Sequence, residues 1–267
     1  SCQSEGGIFA ENKECYESED IVFYYRSLQG LQKPEVTVLS LLKSSLEGAQ
    51  VLDIGVGGGR TTPALSATAE EYVGIDYSSE MICACRERFR NIQQRLIFMV
   101  CDVRDMSRFA DDKFDIVMVS YNGLDYMTNE DRLGAFREIG RVCRPGGFLI
   151  FSTHNLQFAP RLFHVLPVHD WPSRWPSQIV RNRRLRRLNP GFREQLRRDY
   201  AIFNDGAHQY RLRTYYARPQ HQIEQLEAAG FVNIRIFSLT NGTEIRTTDQ
   251  LKRNRDPWLY FLCQARA

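Results

Sequence analysis

Two rhythms of apolar residues run along this chain. Between residues 18 and 47 they recur at helical spacing: Ile21, Tyr25 and Leu28 make one stripe, and Leu39, Leu42 and Leu46 a second. Ser18 stands where the first helix needs a cap, Glu19 and Asp20 fall in its first turn, and Gly30 can end it; Pro34 suits the first turn of the second helix. From residue 50 the rhythm changes to short, nearly continuous apolar runs: QVLDIG (50–55), YVGIDY (72–77), RLIFMVCD (95–102), FDIVMVSY (114–121) and GFLIFSTHN (147–155). Continuous rather than alternating runs are the mark of strands covered on both faces, as in a parallel sheet.

Helical segments alternate with these strands. RTTPALSATAEE follows the first and SEMICACRERFR the second; TNEDRLGAFREIGRVC opens on a Thr cap and carries Leu133, Phe136 and Ile139 on one face. PQHQIEQLEAAG (219–230) is a further helix, followed by a strand, and PWLYFLCQARA (257–267) is a last one. The alternation predicts an α/β fold with a doubly wound, mostly parallel, seven-stranded Rossmann-like sheet. The stretch from 156 to 217 interrupts the β/α rhythm and reads as an α-rich lid insertion. The expected organisation is therefore an N-terminal helical cap (1–48), a Rossmann-like core (49–155), the lid (156–217), and completion of the core sheet (218–267).

Composition narrows the class. The chain has 267 residues, 43% of them hydrophobic, and a net charge of +3, which is ordinary for a globular protein with a large core. No apolar run approaches a membrane span of about 20 residues. The seven cysteines, at 2, 15, 83, 85, 101, 143 and 263, are odd in number and mostly sit in apolar stretches. They read as buried thiols in a reducing, cytoplasmic compartment, with no disulfide and no structural metal.

The chemistry concentrates in VLDIGVGGGR (51–60). The dinucleotide fingerprint G-x-G-x-x-G fails here, because the sixth position counted from Gly55 is Arg60, and no Gly-Lys-Ser/Thr follows to make a phosphate-binding P-loop. What stands is Asp-x-Gly-x-Gly-x-Gly at the end of a first strand, the place where ligands bind in such sheets. With it the chain resembles the class I S-adenosylmethionine-dependent methyltransferases. VLDIGVGGGR is similar to their first motif, VGIDYSSEM to the second, CDVRDM to the third, FDIVMVSYNGLDYM to the fourth and RVCRPGGFLIFSTHN to the segment after it, in order over residues 49–155.

The resemblance implies a cofactor and roles for particular residues. S-adenosylmethionine carries an ammonium, a sulfonium and a ribose diol, groups that suit acids at strand ends. By that resemblance Asp53, Gly55 and Gly57 line the methionine end, Asp76 takes the ribose hydroxyls, and Asp102 with the Val103 backbone takes the adenine, which Tyr77 and Met81 flank. Tyr25 and Ser120 are further expected cofactor contacts, with S-adenosylhomocysteine as the product.

The methyl acceptor is less constrained. The Asn/Asp-Pro-Pro-Tyr/Phe signature of base and glutamine amino methylation is replaced by SYNGLDY (120–126), which argues against methylation of DNA bases. A hydroxyl acceptor wants a base; His154 is the first candidate, with Tyr121 beside it and His208 as a second. Tyr24, Asn122, Asp125, Tyr126, Arg213, Tyr215 and Tyr216 are expected around the acceptor, with Asp205 close by. Core packing is the simpler role for Tyr25, and loop hydrogen bonding an equal alternative for His154.

Residues 181–198 hold eight Arg and one Glu, +7 in all, leaving −4 for the rest of the chain. This run fits a solvated lid face packed by Leu185, Leu188, Phe192 and Leu196, or a surface for an anionic substrate, a membrane or RNA. Trp171 and Trp175 could stack on a substrate or anchor the lid. The reading that results is methyl transfer to an oxygen, hydroxyl or carboxylate, of a small molecule or short peptide. N-methylation of a small amine, RNA methylation through the Arg run, and a non-catalytic cofactor-binding subunit stand as alternatives.

Overall fold

A computed structural model describes residues 12, 15–16, 18–92, 95–164 and 175–267, with the side chains of Glu19, Trp175 and Pro176 left aside. The five runs read as strands are strands: β1 (Gln50–Ile54), β2 (Glu71–Asp76), β3 (Leu96–Val100), β4 (Phe114–Val119) and β5 (Cys143–Asn155). They pair in parallel in the order β3-β2-β1-β4-β5. Two strands near the C-terminus complete the other half. β10 (Trp258–Ala265) runs antiparallel to β5, and β8 (Phe231–Ser238) antiparallel to β10.

The apolar runs are continuous because alternate residues feed two cores. Leu52 and Ile54 of β1, Val117 and Val119 of β4, and Leu149 and Phe151 of β5 face one cluster, beneath α4 (Asn129–Val142) and α6 (Pro219–Ala228). Val51, Ile116, Met118 and Ile150 face the other, beneath α2 (Lys33–Leu41) and α3 (Ser79–Arg88). Ahead of these comes α1 (Glu19–Ser27). Thr128 caps α4 by accepting from Asp131 N at 3.1 Å. Ser18 sits at the N-cap of α1, but its hydroxyl donates back to Cys15 O instead.

The described sheet has ten strands rather than the expected seven. The extra three are short. β6 (Tyr200–Phe203) and β7 (Thr214–Ala217) form a hairpin inside the predicted lid, and β9 (Glu244–Ile245) borders β8. β7 lies parallel to the end of β5, with Tyr216 opposite His154. The insertion therefore joins the sheet as well as covering it. Its four-residue strands carry too few apolar positions, amid charged neighbours, to signal themselves in the sequence.

The described helices of the lid are 160–163, α5 (Trp175–Leu188), 192–195 and the kinked turn 207–210. The first two pack Leu162, Phe163 and Leu185 against Phe203 and Tyr216, a small core of the lid's own. Leu185 is buried as expected, but Leu188 is 44% exposed, because the helix turns it to the outer flank. Trp171 lies outside the described residues. None of the described helices is long and apolar enough to cross a membrane.

Candidate functional site

A cavity of about 690 Å³, counting its open mouth, lies above the C-terminal ends of β1, β2 and β4. Its floor is the glycine loop. At Gly57 the backbone is left-handed (φ +53°), which turns its N–H onto Asp76 Oδ2 at 3.0 Å. Asp76 Oδ1 accepts from Ser78 N at 2.9 Å. Burial pushes the Asp76 carboxyl up to about 6, while these N–H bonds pull the other way. Gly58 answers a different need: a Cβ there would lie 2.5 Å from Tyr25 O and 2.7 Å from Arg26 Cα. The last turn of α1 rests directly on the loop because that side chain is missing.

Asp53 sits beneath the loop, fully buried and outside the cavity lining. Its Oδ2 accepts from Thr61 at 2.6 Å and from the Tyr72 hydroxyl at 2.7 Å. Its Oδ1 has no hydrogen-bond partner among the described residues. Burial raises this carboxyl too, to about 6, against the pull of the Thr61 and Tyr72 bonds. Expected to line the methionine end, Asp53 instead braces the loop from below, because its carboxylate is taken up by Thr61 and Tyr72.

Gly55, Gly57, Asp76, Tyr77, Met81, Ser120, Tyr25, Tyr121 and Tyr126 line the cavity as expected. Tyr25 is thus a lining residue rather than only core packing. Asp102 and Val103 do not line it. Asp102 is gripped by the Arg104 fork at 2.7 and 3.1 Å, and Val103 is buried in the core. The reading of the sequence missed Tyr16, Leu28 and Arg60. The Arg60 guanidinium is held by Glu35 at 2.6 Å on two oxygens and donates to Ser120 Oγ at 3.1 Å. Only its place at the end of the glycine loop could have drawn attention to it.

Aromatic rings make the roof. Tyr16 touches Tyr25 (5.7 Å between ring centres), Tyr126 (5.2 Å) and His208 (5.9 Å). His208 also meets Tyr24 and Tyr25, each at 5.9 Å. Three consecutive left-handed residues deliver it: His208 (φ +45°), Gln209 (φ +60°) and Tyr210 (φ +67°). Such backbone strain clusters where a site demands it. Burial, with Arg211 nearby, lowers the pKa of His208. Asn12 clasps the roof: its amide donates to Tyr126 O at 2.9 Å and to Arg213 O at 3.1 Å, and it accepts from Arg213 N. Through its backbone, Arg213 thus serves the roof's frame.

His154 stands behind the cavity wall at the end of β5, 8% exposed. Its Nδ1 faces Asp125 Oδ2 at 2.8 Å, and its backbone N–H donates to the same oxygen at 2.7 Å. Asn122, left-handed at φ +60°, brings its amide nitrogen 3.4 Å from His154 Nε2. The rings of Tyr216 (4.8 Å) and Trp258 (5.8 Å) flank the imidazole. The Tyr216 hydroxyl donates to Asp205 Oδ2 at 2.9 Å. Tyr215 points elsewhere: it is buried, and its hydroxyl bonds Asn129 and Gln225 near α4 and α6.

Comparison with known proteins bears on the domain and the fold. Residues 51–147 match the family model described as a methyltransferase domain. YqeM of Bacillus subtilis (strain 168), a provisionally named methyltransferase, is 31% identical over 110 residues, 41% of this chain and 44% of its own length. The ubiquinone biosynthesis O-methyltransferase of Alkalilimnicola ehrlichii is 27% identical over 137 residues, 47% of this chain and 54% of that protein. The chain thus spans about half the length of the curated relatives it matches. Among solved structures, the S-adenosylmethionine-dependent methyltransferase of Mesorhizobium loti superposes with a TM-score of 0.60 at 18% identity, over 86% of this chain and 97% of that one. The Burkholderia thailandensis 1,6-didemethyltoxoflavin-N1-methyltransferase, solved with its acceptor and S-adenosylhomocysteine, gives 0.59 at 14% identity over 100% and 92%.

Proposed function

We propose that this chain, with a methyltransferase domain over residues 51–147 and the fold of the solved S-adenosylmethionine-dependent methyltransferases, is an enzyme of that class that methylates an oxygen of a small molecule or short peptide. One observation supports the reading above the others: a single cavity joins the Gly57–Asp76 floor to a wall with a carboxylate-held histidine directly behind it. The bound cofactor supplies a methyl group on cationic sulfur. The chain's own residues do the rest. Asp76 accepts from the ribose hydroxyls. Asp53 holds the glycine loop from beneath through Thr61 and Tyr72, and Tyr77 and Met81 cover the base. Tyr16, Tyr25 and Tyr126 exclude water above the reacting groups, and ordering of this kind contributes about 7–11 kcal/mol to such a transfer.

His154 is the proposed base. Asp125 on Nδ1 keeps the proton there and leaves the Nε2 lone pair on the far side of the ring, toward the Asn122 amide. His208, set among the roof rings, is the second candidate. A second reading has its own support: a roof of tyrosine faces favours an acceptor that becomes positively charged, as an amine nitrogen does on methylation. The Burkholderia neighbour's name describes an N1-methyltransferase.

The test is calorimetric titration of the chain with S-adenosylmethionine beside NAD. Micromolar binding of the first and none of the second is the expected result. Heat from NAD alone would overturn the cofactor assignment. Labelled methyl transfer into hydroxyl, carboxylate and amine panels then decides the acceptor atom.

A further inference from the structure

Arg132 is among the largest fully buried side chains of the described chain, and the methyl-transfer reading gives it no task. It leaves α4 and points under the sheet's C-terminal edge, between the rings of Tyr215 (4.6 Å) and Phe136 (5.2 Å). Its Nη1 donates to Asp125 Oδ1 at 2.5 Å and to Leu124 O at 3.0 Å. Its Nη2 donates to Gln222 Oε1 at 2.5 Å and Thr153 Oγ1 at 3.0 Å. Thr153 in turn donates to Asp125 Oδ1 at 2.8 Å. Asp125, also fully buried, therefore turns one oxygen to Arg132 and Thr153 and the other to the backbone N–H and ring of His154.

This division of one carboxylate has a chemical consequence. A buried carboxylate against an imidazole favours the ring's charged form, which cannot accept a proton. A guanidinium on the opposite oxygen offsets that charge without disturbing the hydrogen bond that orients the ring. Among the described residues, His154 also meets the titratable Tyr216 from β7, with Asp205 behind it; β10 contributes the neutral Trp258, and the turn after β4 the neutral Asn122.

We infer that Arg132 is a positioning residue for His154. Acting through Asp125, it fixes the ring and keeps the carboxylate's full charge from it, so that Nε2 stays open to take a proton. The inference rests on the reading of His154 as the base, and its test reads the imidazole itself rather than turnover.

The experiment is a pH titration of the His154 ring by nitrogen-resolved NMR in four forms of the full chain. Against the parent, Arg132→Met is expected to move the midpoint up, and Asp125→Asn to move it down. The double variant removes both charges and returns it close to the parent. Midpoints that stay put, or move in the same direction in both single variants, would overturn the inference, since a merely structural role predicts no such opposition. If Arg132→Met fails to fold, Arg132→Gln supplies the uncharged side chain, and the Asp125→Asn shift is read beside it. The acid limb of the methyl-transfer rate follows the same order, moving up with Arg132→Met. Opposed shifts of the midpoint together with full activity in His154→Ala would leave the positioning intact and refute the base.

Discussion

The floor and the roof of the cavity are built on opposite plans. The floor is local. Gly57 and Ser78 donate backbone N–H groups to Asp76, all within two strand ends. The roof gathers side chains from three remote parts of the chain, 12–27, 121–126 and 204–213, and holds them ring against ring. A floor set by backbone geometry has little freedom, so it suits the invariant partner, the cofactor. A roof made of side chains can change shape by substitution, which suits the partner that differs between enzymes of one fold.

If that division holds, it breaks most visibly at the wall between the two. His154→Ala is expected to cut turnover by roughly 10²–10⁴-fold, the usual worth of a positioned base, while calorimetry finds the cofactor affinity unchanged. Full turnover would make His154 a structural residue and move the base to His208.

On the floor, Asp76→Ala should weaken cofactor binding by about 1.5–3 kcal/mol, the scale of hydrogen bonds to a charged group, with the loss seen in the dissociation constant. The pH dependence sharpens the same point. Folding raises the Asp76 carboxyl from 3.8 to about 6, so the folded chain takes up this proton first. The group's contribution to stability therefore weakens as pH rises through that window and is level above it. Cofactor capture has the opposite sign, because the ionised form is the acceptor: affinity should be full above pH 7 and fall as pH drops through 6. Asp76→Asn should flatten the curve, leaving the part that belongs to Asp53, whose carboxyl also stands at about 6. A curve unchanged in that variant would assign the titration elsewhere.

The smallest effect lies at the seam. Gly58→Ala sets a methyl group against the Tyr25 carbonyl and the Arg26 backbone, and should lower stability by about 1–3 kcal/mol, as overpacking does. Protease cleavage within α1 should speed up along with it. A melting temperature and cleavage rate equal to the parent's would mean that α1 does not bear on the loop in solution.

The same division explains what the sequence disclosed. The β/α alternation, the glycine loop and Asp76 were legible because backbone requirements recur at fixed spacing. Tyr16 and Arg60 were not, since each gains its place only through partners far along the chain: Tyr126 for one, Glu35 and Ser120 for the other. Asp102 shows the limit of motif spacing, as its carboxylate is shared with Arg104 two residues on, a pairing that spacing alone does not reveal. Tyr215 looked equivalent to Tyr216, but neighbouring residues of a strand face opposite ways, and only the pairing of β7 with β5 sets which ring meets His154.

The Asn12 clasp ties residues 201 positions apart, and that separation has a bearing on biosynthesis. A chain released from the ribosome can assemble the glycine loop and its first strands early, from contacts close in sequence. It cannot seat Asn12 until Arg213 has emerged, and closing so long a loop comes late for entropic reasons. A nascent chain stalled before that point would hold the nucleotide half of the cavity with its aromatic cover still open.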